Sequence, residues 1–225
     1  MSAIIEQNRQ KKQKKAILAA FLSLFFFFVL FRFGQPAYSA SFEVDKTATP
    51  VRGTIIRLTP SAWVERSGKR FELGVGSAVN DFDILRTGDG ASVTVNFLDG
   101  TIIELSPNSE LSILDVVHSP KASRFSVYIT VGGAMITTGS IGLKNEVGVS
   151  ITTPKGIISA NDAVVWVGVS GGEEIVRIED MTRGPKVSVY NSSTSNILVT
   201  TSSRYGIITD ESNNMYAVEL APRGN

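Results

Sequence analysis

The chain holds few groups able to do chemistry. It has no cysteine and a single histidine, His118. Without cysteine there are no disulfides and no thiolate nucleophile. One histidine beside Pro120, in a chain with no G-x-S-x-G turn, makes no hydrolytic triad. Asp81, Asp83, Asp89 and Asp99 lie close together, and such a set would suit Ca²⁺ if it had EF-hand spacing, which it lacks. Each also stands where a turn favours aspartate, so no metal is expected. Glu173-Glu174 and Glu179-Asp180 would work as an acid and a base only if they faced each other across a cleft. As neighbours at strand ends they read as solvated edge charges that keep other chains from pairing. Gly132-Gly133 and Gly171-Gly172 precede no helix start, so they cradle no phosphate. Asn191-Ser192-Ser193 fits a glycosylation acceptor. Trp63, Trp166 and Tyr190 have the ring faces on which sugars stack. Trp166 lies in the most apolar run and reads as core, whereas Trp63 has polar neighbours and is the aromatic left for an exposed contact. No catalytic residue and no cofactor emerge, so the expectation is a protein that is not an enzyme.

The elements that carry these residues are strands. The stretch Asp83–Leu114 reads as a β-meander. Val93, Val95 and Phe97 alternate with Ser92, Thr94 and Asn96, the period of a half-buried strand. Asp99-Gly100 predicts a type I′ hairpin turn, Ile103 and Leu105 resume the alternation, and Pro107-Asn108 turns the chain into Leu111 and Ile113. Further strands are expected at Thr54–Leu58, Trp63–Arg66, Phe71–Leu73, Ala134–Thr138, Val147–Ile151, Glu174–Glu179, Lys186–Tyr190, Ile197–Thr200, Tyr205–Ile208 and Met215–Leu220. Phe125, Val127, Ile129 and Val131 form the cleanest amphipathic strand, which Gly132-Gly133 is expected to break. Val116–Ser123 reads as a loop, as does the Gly-rich Gly139–Glu146. Ala163–Val169, AVVWVGV, is apolar on both faces and predicts a central, fully covered strand. No helix is expected after Ser41. Many short strands with turn signals between them mean an all-β sandwich, barrel or solenoid-like stack.

The N-terminus is different. Arg9, Lys11, Lys12, Lys14, Lys15 and Arg32 are balanced there only by Glu6, so the rest of a chain with 22 basic and 21 acidic residues is mildly acidic. Such a body does not suit nucleic acid. Ala16–Phe31 is apolar apart from Ser23, and Ala37 and Ser39 stand as the small residues of a cleavage site. As a helix this run would span about 24 Å, short of a bilayer's hydrocarbon core. A cleaved signal peptide and an uncleaved anchor both follow from this pattern, and in both the lysines stay in the cytoplasm while the remainder is exported. The expected organisation is a leader or anchor at 1–39, an exposed approach at 40–51 and one β domain at 52–225.

The order of the motifs resembles a FecR-like domain. Asp83-Ile84-Leu85-Arg86-Thr87 matches that family's Gly-Asp-x-Ile-x-Thr segment. Phe97-Leu98-Asp99-Gly100-Thr101 matches its strand ending in Asp-Gly-Ser/Thr. Leu105, Ser109, Leu111 and Ile113 fall in its x-Leu-x-x-x-Ser-x-Leu-x-Ile pattern. Val131-Gly132-Gly133 and Val149–Pro154, with Thr153-Pro154 at the end, match the next two motifs. Where the family has Arg-Gly-Thr, this chain has Ala160-Asn161-Asp162-Ala163. The resemblance spans about Arg52–Tyr190. It implies an exported all-β module of a bacterial envelope, which in the best-known members relays a signal through a membrane helix to a sigma-factor regulator. Met1–Lys15 is too short a segment to fold around a sigma factor. The expected role is therefore a stand-alone interaction or sensing module with an envelope protein as partner, held at the inner membrane if the leader is uncleaved. A structural brick of an envelope assembly and a cell-wall or polysaccharide binder using Trp63 are the other two readings.

Overall fold

Alternating apolar and polar residues decide which face of each strand turns inward. The computed structural model describes residues 49–50, 53–118, 123–144, 149–180, 186–200 and 205–220. The expected leader and most of the approach segment, all but Thr49–Pro50, lie outside the described residues, as does Pro120. The strands are β1 (Thr49–Pro50), β2 (Gly53–Thr59), β3 (Ala62–Arg66), β4 (Lys69–Glu72), β5 (Ala78–Val79), β6 (Ile84–Thr87), β7 (Ser92–Phe97), β8 (Ile102–Leu105), β9 (Glu110–His118) and β10 (Ser123–Thr137). A short helix, α1 (Ser140–Lys144), follows. Then come β11 (Val149–Thr152), β12 (Gly156–Asn161), β13 (Val164–Ser170), β14 (Glu173–Asp180), β15 (Lys186–Asn191), β16 (Ile197–Thr200), β17 (Tyr205–Thr209) and β18 (Met215–Glu219). No described helix is long and apolar enough to cross a membrane.

The strands form two open sheets sharing one strand. The first runs β4-β3-β6-β9-β10-β11-β12-β15-β16, with β1 beside the far end of β9. Its one parallel pair is β10–β11. The second runs β5-β2-β7-β8-β10-β13-β14-β17-β18, antiparallel throughout. Among the described residues each of β4, β16, β5 and β18 pairs with one strand, so there neither sheet closes into a barrel. The sheets face each other as a sandwich around one apolar core. Phe97 of the second sheet meets Phe125 of the first edge to face, ring centroids 4.8 Å apart, a geometry worth about 1 kcal/mol beyond burial.

The shared strand corrects the expected break at Gly132-Gly133. Residues before Val131 pair with β9 and β11; residues from Gly132 pair with β8 and β13. The chain stays extended and changes sheets. Phe125, Val127 and Ile129 are buried, but Val131 is exposed, because the register shifts between Ile129 and Val131 as the strand crosses. Gly132 has φ 89°, and a Cβ there would lie 2.1 Å from Ser109 Oγ, so only glycine makes the crossing.

Other expectations shift too. β9 continues to His118, which ends a strand instead of sitting in a loop. β12 was not expected, and it carries the link from β11 to β15. α1 lies in the predicted Gly-rich loop. Only Gly100 of Asp99-Gly100 has positive φ. Gly100 N–H donates to Phe97 O and Phe97 N–H to Thr101 O, which is a three-residue hairpin loop closed by a glycine bulge, not a type I′ turn. The two-residue turn with both φ positive occurs at Gly171-Gly172, between Ser170 and its strand partner Glu173.

Candidate functional site

The motif residues lock chain reversals together, and each polar one has its own partner inside the fold. Asp83 is fully buried and takes two hydrogen bonds from Arg66, both at 2.7 Å, plus one from Asn80 N–H. That contact also holds the Arg66 guanidinium charged, its pKa raised by Asp83. The Thr87 hydroxyl donates to Ser106 O at 2.6 Å and accepts from Ser109 N–H. Ser109 Oγ accepts from Gly133 N–H at 2.9 Å, tying the β8–β9 turn to the crossing of β10. Asp99 accepts from both the N–H and the hydroxyl of Thr101, and the Thr101 hydroxyl accepts from Gly139 N–H ahead of α1. Leu105 and Leu111 are core. Pro154 follows Thr153 in the turn that joins β11 to β12. Asp81, Asp83, Asp89 and Asp99 thus do not converge, and among the described residues no group of ionisable side chains could hold a metal.

Glu174 overturns the expectation of a solvated edge charge. It is buried with Val176 and Ile178 on the inward face of β14 and accepts a hydrogen bond from the Thr153 hydroxyl. Burial pushes its pKa up against the opposing pull of Thr153 and of the Lys155 ammonium. Lys155 extends from the first sheet to the β17–β18 turn of the second, donating to Asp210 O and Asn213 Oδ1, each at 3.0 Å. Asn191 donates to Asn213 O at 3.1 Å and is itself buried, so it is not open to a glycan despite its acceptor motif. These contacts latch the two sheets at one end. Glu179 also has a partner, Arg177.

Trp166 corrects its expected role. Trp166 is not core; it is half-buried on the outer face of β13, because Val165 and Val167 take the inward positions. It lies across Gly133 and Gly168, and the Arg177 guanidinium sits 4.3 Å from its ring centroid. Trp63 is half-buried, with the Arg70 guanidinium 4.0 Å from its ring centroid. One face of each ring thus carries a guanidinium. Beside Trp166 runs an open groove of about 450 Å³ between Pro107, Val131, Val169 and Ile175.

The outer face of the first sheet carries a row that no local pattern announces. Tyr128, Thr152, Ile157, Tyr190 and Ile197 are successive register partners across β10, β11, β12, β15 and β16. The row is uncharged and ends on the open edge of β16, where Ile197 and Val199 are 62% and 56% exposed. The other edges differ. β4 carries Lys69, Arg70 and Glu72, β5 has two residues, and β18 ends in Glu219.

Fold and side chains together define a non-convergent, all-β, two-sheet module whose described features are turn locks, a buried carboxylate and open edges. The comparisons place it more closely. The family described as FecR protein matches residues 83–180, from the buried Asp83 through β14, and the chain carries a FecR domain over that stretch. Two crystal structures of a proposed anti-sigma factor from Parabacteroides distasonis ATCC 8503, at 2.50 and 1.65 Å resolution, are similar at 15% and 16% identity. Each match covers 60% of this chain and 59% of the other, with a TM-score of 0.47. No curated protein matches the sequence.

Proposed function

We propose that this chain is a non-enzymatic FecR-type interaction module that works in regulation or sensing in a bacterial cell envelope. It takes a protein partner along the edge of β16. The row Tyr128–Thr152–Ile157–Tyr190–Ile197, ending on an uncharged open strand, carries this reading. An added strand would pair along β16, and the exposed Ile197 and Val199 would supply side-chain contact. The FecR match and the export-type leader support the regulatory setting.

The test is capture of partners from detergent-solubilised envelopes by the native chain and by an Ile197→Lys, Val199→Lys variant. A partner held by the native chain and lost by the variant is the expected result. Equal capture by both removes the β16 edge. Detergent-resistant co-fractionation of many copies, with no distinct partner, favours a structural brick instead.

A further inference from the structure

We infer that the end of the sandwich at which the chain comes into β1 rests on a lipid bilayer, with Phe82, Leu98 and Leu143 as its apolar tips. The inference rests on the reading of the leader as an export or anchoring segment, and adds a lipid-facing surface to the β16 edge.

The three tips belong to different elements but share one end. Gly53 pairs with both Val79 and Phe97, so the turn Asn80–Asp83 and the loop Leu98–Gly100 leave their sheets at the same level. Asp99 O accepts from Ser140 N–H, which sets α1 beside that loop. Phe82 N–H donates to Ile113 O, and β9 continues from there to His118, the partner of Thr49 in β1. The chain therefore joins the sandwich from this end.

Leu98 and Phe82 are 79% and 77% exposed, more than any other large hydrophobic among the described residues, and Leu143 is 50% exposed. Phe82 also has φ 67°, a backbone conformation that bulky residues rarely adopt. The acids beside them turn inward. Asp83 is bound to Arg66, Asp99 is bound to Thr101, and Asp81 buries one carboxylate oxygen. Lys144, next to Leu143, stays exposed. Separate protruding apolar tips with a basic neighbour suit an anionic lipid surface better than a flat protein face. Upstream in sequence lies the apolar run Ala16–Phe31 with its lysines. The residues between Phe31 and Thr49 reach at most roughly 60 Å when extended. A chain held in a bilayer by that run keeps this end of the sandwich within one tether length of the lipid.

The chain has no cysteine, so single cysteines report one position each. The full chain is reconstituted into phosphatidylethanolamine–phosphatidylglycerol vesicles with brominated acyl chains. A fluorophore is placed at Phe82→Cys, Leu98→Cys or Leu143→Cys, and at Asp89→Cys or Ser170→Cys on the opposite end. Bromine should quench the first three labels at least twofold more than the last two. Equal quenching at all five overturns the docking, as does a tip label shielded from aqueous iodide yet untouched by bromine, which would mean a protein cover. Flotation after a carbonate wash reads the anchor separately. A floating chain with unquenched tips sinks the docking alone. Quenched tips on a chain that carbonate strips uphold the docking and sink the anchor. A chain that neither floats nor is quenched sinks both.

Discussion

The Thr153 hydroxyl, in a turn of one sheet, donates to the buried Glu174 carboxylate of the other. Thr153 Oγ1 also accepts from Lys155 N–H and Gly156 N–H, so one side chain closes its own turn and pins the facing sheet. Beside it, Lys155 and Asn191 reach Asn213 in the same way. The Thr-Pro motif is thus more than turn chemistry: its threonine is one of the polar fastenings, with Lys155 and Asn191, at one end of a largely apolar interface.

Glu174 should make stability fall as pH rises. Its folded pKa is raised, chiefly by burial. A carboxyl raised in the folded state contributes stability that is fully present below its unfolded value of about 4.3 and is lost as pH rises through the folded value. Glu174→Gln keeps an acceptor for Thr153 and cannot ionise. Urea unfolding across pH 4 to 8 should show the Gln variant gaining on the native chain as pH rises, then levelling off. A native chain that gains on the variant over that range would mean that Lys155 and Thr153, not burial, dominate.

Glu110 should behave in the opposite sense. Arg86, at 2.8 Å, lowers its pKa, and Thr130 adds a hydrogen bond at 3.0 Å. A lowered carboxyl contributes stability present above the unfolded value and lost as pH falls through the folded value. The native chain should exceed Glu110→Gln by about 1 kcal/mol at neutral pH, with the difference vanishing in acid. Arg86 also pairs with Glu65 on the outer face, so the same difference should shrink in high salt.

Gly132→Ala should be costly and not rescued by trimming its neighbour. The new Cβ would lie 2.1 Å from Ser109 Oγ and 2.5 Å from Ser109 Cα. Positive φ adds about 1–2 kcal/mol for a residue with a Cβ, and overpacking adds about 1–3 kcal/mol. Ser109→Ala alone leaves Gly133 N–H buried without its acceptor, a loss of about 1–3 kcal/mol. Because the backbone of Ser109 still obstructs, the double variant should be no more stable than Gly132→Ala. Recovery in the double variant, measured by thermal melting, would show that the side chain alone was the obstacle.

Much of this fold was legible residue by residue. Strand phase placed Val93, Val95, Phe97, Leu105 and Leu111 inward, where they are. Turn chemistry marked Asp99-Gly100 and Thr153-Pro154. What escaped reading depends on contacts between distant residues, or on signals that compete locally. Gly132-Gly133 reads as a stop because glycine ends strands, yet here it lets one strand change sheets. In AVVWVGV, apolar residues on both faces hide the phase that sends Trp166 outward. In EEIVRIED the phase was present: Glu174 shares a face with Val176 and Ile178, and the usual exposure of glutamate outweighed it. Arg66 could not be paired with Asp83, nor Ile157 with Tyr190 and Ile197, before the register was known.

Trp166 offers a direct optical check on the outer face of the second sheet. The chain has two tryptophans, so a Trp63→Phe background leaves Trp166 as the sole reporter. Half-buried between the glycine bed and Arg177, it should be quenched by iodide only in part. A Cβ at Gly168 would lie 2.2 Å from the far edge of its ring, and one at Gly133 would lie 3.2 Å away. Gly168→Ala should therefore lift the ring towards solvent, red-shift its emission and increase iodide quenching. Gly133→Ala should do so less. Arg177→Met, which removes the cation over the ring while keeping much of the aliphatic stem, should also expose it, at a cost of about 1 kcal/mol. Unchanged emission in Gly168→Ala would show that the ring does not lie on that glycine and that the groove beside it has a different shape.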